Sequence, residues 1–345
     1  MTAIARIAVP IVLVTLLLVL SLDVGRLVLA PTREASIDAV RIRNAMVAEL
    51  GSPAQTTWRP DRIPTDFQWE SLPVPDYFAA IVDRLRPSGG QSEPPLATAV
   101  RLARHLRETS RRGPPIQANT RETYEKIVGG LGGYCSDYTQ SFNALALAAG
   151  LDVREWGFAW ENMANGHALN EVWEPLLQKW VLIDSFISFY VVDRNNGVPL
   201  SVLEFRDALL DASRANEIEV VKIVPERFGF RSVDEALAWY RRGMPRLFLV
   251  LGNNVYSYDA DPVVRATEAL PRSVEMTAAI LLGRHPRFLF VPRPTDVEVK
   301  EQVREMGWSL AWVLGKLAAI VTLAIALLVI LWRLLRARFR KAAAV

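Results

Sequence analysis

One cysteine and three histidines in 345 residues exclude an internal disulfide, a cysteine-based zinc site and an iron–sulfur cluster. The histidines, at positions 105, 167 and 285, are too far apart for metal-ligand spacing, so neither a metal nor a cofactor is expected. No phosphate-binding loop is present: Gly129, Gly130, Gly132 and Gly133 lack the Lys-Ser/Thr ending and a preceding strand. There is no internal repeat and no long low-complexity stretch. Acidic residues are missing before Asp23 and after Glu305. The formal net charge of +3 therefore comes from seven basic residues in the two tails, while positions 23–307 carry 33 basic against 37 acidic groups. A body with a net negative charge gives no footing for nucleic-acid binding.

The chain does contain two long apolar runs. From Ile4 to Leu22 the only charge is Arg6, which suits a short spanning helix or a signal sequence. Cleavage after Ala30 would leave Pro31 behind the scissile bond, so an uncleaved anchor over 4–24 is expected. The second run, Ser309 to Trp332, has one charge, Lys316, near its outer end, where it can snorkel to the interface. Its 24 residues reach about 36 Å as a helix, enough to cross the hydrocarbon with some tilt. Trp308, Trp312 and Trp332 flank it as an interfacial belt. Arg333, Arg336, Arg338, Arg340 and Lys341 then follow, which by the positive-inside rule puts the tail at 333–345 in the cytoplasm. With two spans the N-terminus lies there too, and the segment between is outside: periplasm or cell exterior in a bacterium.

Within that segment, 32–112 reads as a mainly helical extension, with a helix from Glu34 to Leu50 and another from Leu96 to Arg112. The second helix carries Arg101, Arg104, His105, Arg107, Arg111 and Arg112, a basic stripe read as a solvated face, with anionic headgroups or polymer as the other possibility. Residues 113–200 form the expected core. Cys135, Tyr138, Phe142, Leu145, Ala146 and Ala149 share one helical stripe that stops at Gly150, so the thiol stands at a helix N-terminus. Strands follow over Val153–Trp160, Ala168–Trp173 and Trp180–Asp184, and a helix on an antiparallel sheet, an α+β layout, is the natural packing. Residues 201–300 form an α/β extension: strands at Glu217–Val224, Leu247–Leu251 and Val255–Tyr258, and helices at Val233–Arg242 and Ser273–Leu282. They either lengthen the same sheet or build a second lobe.

A thiol is mostly protonated near neutrality and needs help to become the attacking thiolate. A helix N-terminus and an adjacent imidazole both lower its pKa, and a carboxylate on the far ring nitrogen fixes the imidazole. The amide N–H of Cys135, unpaired at the start of its helix, is a candidate oxyanion donor. Taken singly, Cys135 reads as a small core residue, His167 as a turn residue and Asp184 as a strand-end cap. Their coincidence carries the functional reading. His105 and His285 read as structural or solvent-facing, Asp137 as favouring the positive end of the Cys135 helix, and Tyr138 and Trp180 as core.

The segments Gly133-Tyr134-Cys135-Ser136-Asp137-Tyr138, Gly166-His167-Ala168 and Trp180-Val181-Leu182-Ile183-Asp184, in that order, resemble the transglutaminase-like superfamily, whose fold is a papain-like core with the cysteine helix on an antiparallel sheet. The resemblance spans some 65 residues. It implies Cys135 as nucleophile, His167 as base and Asp184 as the residue orienting the histidine, in an enzyme acting on a protein or peptide substrate as peptidase, amidase or transglutaminase. The sequence departs from the pattern at Leu169 and Asn170, where aromatic residues are common, and at Ser185, where proline often follows; these positions bear on substrate contacts. The alternative is a catalytically idle scaffold of this fold in an envelope or surface-polymer assembly.

Overall fold

A computed structural model describes residues 3–29, 33–87, 93–110, 113–270 and 272–342. Its contacts divide the chain into two units, Val47–Val303 and a second made of Met1–Met46 with Arg304–Val345.

The second unit holds α1 (Ala3–Leu29) and α2 (Arg33–Ala45), together with most of the long C-terminal helix Val297–Ala342. Two helices, Ala8–Leu27 and Val297–Ala337, are long and apolar enough to cross a membrane, with mean hydropathies of 2.4 and 2.6. Lys316 is not left to snorkel alone: its ammonium pairs with the carboxylate of Asp23, which also meets Arg26.

The body begins with β1 (Ala48–Leu50), α3 (Asp76–Leu85), α4 (Pro95–Glu108), α5 (Thr120–Val128) and α6 (Cys135–Ala148). The strands β2 (Val153–Ala159), β3 (Gly166–Glu174), β4 (Lys179–Ile183) and β5 (Phe189–Asp193) follow. After them come α7 (Val202–Leu210), β6 (Ile218–Lys222), α8 (Val233–Gly243), β7 (Leu247–Val250), the short α9 (Val255–Ala260) and α10 (Pro262–Thr267), α11 (Arg272–Leu281) and β8 (Phe288–Phe290). The C-terminal helix is α12.

The main sheet runs β1-β8-β7-β2-β3-β4, and β5 with β6 makes a separate ribbon. All main-sheet pairs are antiparallel except β1 with β8. The mixed α+β architecture therefore holds, and the region after 201 lengthens the sheet through β7 and β8. Three readings are corrected. The helix expected to reach Leu50 stops at Ala45, because Ala48–Leu50 pair with Phe288–Phe290. Val255–Tyr258 is helical, with Tyr258 N donating to Asn254 O at 2.9 Å. The basic stripe of α4 is no uniform solvated face: Arg107 is buried and Arg101 pairs with Glu93. Arg111 and Arg112 lie outside the described residues.

Two cores flank the sheet. One face carries Trp156, Phe158, Leu169 and Leu182, packed by α7 and α8 through Phe205 and Tyr240. The other carries Val153, Val172 and Ile183, packed by α6 through Tyr138, Phe142 and Leu145. Each fully buried large apolar side chain contributes about 1.5–3 kcal/mol. The α6 helix ends where expected: Gly150 takes φ +76°, and Leu151 N closes the turn on Ala146 O at 2.9 Å.

Candidate functional site

Residues around Cys135 set the start of α6. The buried Asp137 carboxylate accepts three backbone N–H bonds, from Tyr134 at 2.7 Å and from Ile116 and Gln117 at 3.0 Å each. It thus ties the loop before α5 to the first turn of α6 and holds the entry fixed. Cys135 is half-buried.

His167 is the second residue of β3, and Asp184 follows β4 directly. The β3–β4 ladder pairs Asn170 with Ile183. One further step puts Leu169 opposite Asp184, which makes His167 a diagonal neighbour of Asp184 on the same face. The geometry agrees: His167 Nε2 lies 2.5 Å from Asp184 Oδ2, with both side chains buried. Asp184 Oδ1 accepts from Ile187 N at 2.7 Å, which locks the carboxylate. Helix α6 packs on the opposite face, and pairing with β4 has ended at the start of β3, where His167 stands. Cys135 is near enough to act electrostatically on the ring, favouring its charged form.

Burial of the His167 ring opposes its protonation. The Asp184 charge and hydrogen bond, together with those of Cys135, outweigh burial and raise the pKa to about 10. At neutral pH the ring is therefore held as an imidazolium.

Sequence reading missed Tyr240. This fully buried side chain on α8 donates its hydroxyl proton to Asp184 Oδ2, with the oxygen 3.2 Å from His167 Nε2. Burial, then the Asp184 charge, holds its pKa well above the ordinary tyrosine value, so it stays a donor. Trp239, Phe158 and Phe186 surround the His167 ring at centroid distances of 5.1, 5.5 and 6.1 Å and exclude water from it. The only local signal was the α8 stripe Ala236, Tyr240, Gly243, which marks an inward face but not its partner. Gly243 is needed there, since a Cβ would strike the Phe158 ring.

Beside the Cys135 helix lies a cavity of about 270 Å³ lined by Arg107, Gly133, Tyr134, Phe186, Ile187 and Gly229. The other histidines stay away from the site: His105 Nε2 meets Tyr124 OH at 2.8 Å, and His285 Nδ1 meets Pro286 O at 2.8 Å. No group of His, Cys, Asp and Glu able to hold a metal occurs among the described residues.

Two further sets of polar groups pack on the sheet, Arg154 with Glu171 buried and Glu155 half-buried. Arg154 pairs with Glu171 at 2.6 Å inside a cage of Trp58, Trp156 and Trp180. Glu155, bonded by Asn143 at 3.2 Å, is pushed by burial to a pKa of about 7.

No curated protein matches the chain. Among solved structures it is similar to the periplasmic domain of TgpA from Pseudomonas aeruginosa bound to ethylmercury, at 21% identity and a TM-score of 0.27. That match covers 33% of this chain and 46% of the other, under half its length. The family model of the transglutaminase-like superfamily matches residues 84–185, which include Cys135, His167 and Asp184. The chain thus carries a domain of the transglutaminase-like superfamily.

Proposed function

We propose that the protein is a membrane-anchored cysteine acyl-transfer enzyme, facing outward, with Cys135 as nucleophile, His167 as acid–base and Asp184 as orienting carboxylate. The observation that carries this reading is the buried His167 ring with Nε2 2.5 Å from Asp184 Oδ2, its charged form favoured by Asp184 and by Cys135. The Cys135 thiolate attacks an amide carbonyl carbon, and the carbonyl electron pair moves to oxygen, with the Cys135 N–H as one donor to that oxyanion. Collapse breaks the C–N bond, and the amine leaves with the proton of His167. The neutral imidazole then takes a proton from water or from an amine as that nucleophile attacks the thioester. The thiolate departs and the ion pair is restored. Water as acceptor gives hydrolysis and an amine gives transfer; peptidase, amidase and transglutaminase share every step up to the thioester. The substrate is an amide of a protein or peptide.

Because Cys135 is the chain's sole thiol, alkylation reports on it without ambiguity. Iodoacetamide at pH 6 should label the wild-type protein quickly and His167→Ala slowly, and Cys135→Ala should lack any acyl transfer. Equal labelling of wild type and His167→Ala would remove the reading. Orientation rests on the basic cluster at 333–341 and the two apolar helices. Alkaline phosphatase fused near residue 200 should be active in a bacterial host, and activity only of a cytoplasmic reporter there would reverse the topology.

A further inference from the structure

We infer that Arg107 is a recognition residue for a carboxylate on the substrate, so that the enzyme acts on amides in peptides with an acidic residue near the attacked bond. The inference rests on the acyl-transfer reading and deepens it. Among the described residues four arginines of the body are buried: Arg107, Arg154, Arg206 and Arg246. Three of them meet carboxylates: Arg154 with Glu171 at 2.6 Å, Arg206 with Asp207 at 2.9 Å and Arg246 with Glu298 at 3.1 Å. Arg107, 5% exposed, meets none among the described residues, and those residues include every Asp and Glu of the chain.

Its protein contacts are with neutral oxygens. Nε and Nη2 share the Arg227 carbonyl at 3.1 and 2.9 Å, and Nη1 reaches Ser110 Oγ at 3.3 Å. Three of the five guanidinium N–H groups are thereby used and two remain. The guanidinium carbon also lies 5.7 Å from the Phe186 ring centre and 5.8 Å from that of Tyr138. A buried cation without a counter-ion is costly, and a neutral donor could hold the Arg227 carbonyl equally well. The charge makes sense where it lines a cavity. That cavity is walled otherwise by Gly113, Gly133, Gly229, Tyr134, Phe186 and Ile187, two of which, Gly133 and Tyr134, directly precede Cys135 in the chain. The nearby Asp137 carboxylate is engaged by three backbone N–H groups. A short aliphatic stem ending in a carboxylate, as in an acidic side chain, fits such walls, and the planar guanidinium fork suits that group.

The test uses the full chain in detergent and two pairs of alkylating probes, iodoacetyl-glycine and iodoacetyl-γ-aminobutyrate, each against its primary amide. Rates of Cys135 modification at pH 6 are read by mass spectrometry. At one of the two lengths the acid should react at least about tenfold faster than its amide, the scale of one charge-assisted contact. Arg107→Gln should bring that ratio to about one, and Arg107→Lys should retain part of the preference. Equal rates for acid and amide at both lengths in the wild type overturn the inference without needing any variant to fold, as does a preference that survives Arg107→Gln. If even the amide probes fail to react at pH 6, the thiolate reading itself falls and takes this one with it. Amide reactivity without acid preference overturns only the role of Arg107.

Discussion

Replacing Asp184 by Asn tests the electrostatic core of the site with the least change in shape. Asp184 accepts from His167 Nε2, from Tyr240 and from Ile187 N. An amide in its place carries no charge: its oxygen can keep either the His167 and Tyr240 bonds or the Ile187 bond, and its NH2 group then faces the remaining donor or donors. His167 stands at about 10 against an ordinary value of 6.5, a displacement worth about 5 kcal/mol at 1.36 kcal/mol per pKa unit. Asp184 and Cys135 share that displacement, so the Asp184 part is on the order of 2–4 kcal/mol, or about 30- to 1,000-fold in the proton affinity of the ring. The sign follows from the raised pKa: stabilisation by the charged ring is complete below about pH 6.5 and is lost as pH rises through 10. In wild type the His167 ring should stay charged from pH 6 to pH 9. In Asp184→Asn the midpoint of the ring, followed by NMR, should drop by about 1.5–3 pH units, so that it is neutral by pH 9. Circular dichroism should show the fold retained. If the ring titrates in the variant where it does in wild type, Asp184 does not hold its proton.

Tyr240→Phe removes one donor to Asp184 while leaving the packing intact. It should slow labelling at pH 6 by about three- to tenfold, the effect of one hydrogen bond to a charged group, and an unchanged pH–rate profile would make Tyr240 purely a packing residue. Glu171→Gln leaves Arg154 charged and unpaired inside its tryptophan cage, where Glu171 also accepts from Trp156 and from Val202 N. Loss of about 3–5 kcal/mol is expected, seen as a lowered Tm of the full chain in detergent; an unmoved Tm would show the pair to be dispensable. Glu155, raised to about 7 by burial, retains a proton in the folded chain that the unfolded chain releases from about pH 4.5 upward. Stability should therefore fall between pH 4.5 and 7 on its account. Glu155→Gln should flatten that slope and stabilise the protein at pH 8 by about 2 kcal/mol, and a slope that persists in the variant would assign the proton elsewhere.

Legibility of the fold from sequence followed the range of its contacts. The stripe of α6, its stop at Gly150 and the strands β2 to β4 are local patterns whose periods match their burial, and consecutive strands pair with one another. The sheet's other half was hidden because its partners are distant in sequence. Trp156 pairs with Leu249, and three-residue β1 pairs with β8 across most of the chain. Such short strands carry too few residues to show a period of two. Val255–Tyr258 misled because β-branched and aromatic residues after a Gly-Asn-Asn turn look like a hairpin, whereas the Tyr256 ring packs in the α6 core and its hydroxyl donates to Ala144 O at 2.5 Å. In α4, Arg101, Arg104 and Arg107 recur every third residue, so spacing alone could not tell a solvent face from a buried cation. What separates Arg107 is a carbonyl 120 residues away.

The proposed site draws on more of the chain than the matched stretch. Cys135, His167 and Asp184 all fall inside the matched stretch 84–185, but the surroundings that set their chemistry do not. Tyr240, which donates to Asp184, and Trp239, which covers the His167 ring, come from α8, and Gly229 closes one wall of the cavity. Helix α8 docks because Gly243 lets it approach Phe158, itself opposite His167 in the β2–β3 ladder. A shielded imidazolium needs that lid: with α8 removed, water would reach the ring and weaken the Asp184 interaction through a higher local dielectric. The residues after 185 thus belong to the site as much as the three inside the matched stretch. Trp239→Ala, which thins that cover without shortening the chain, should move Cys135 labelling toward that of an ordinary thiol.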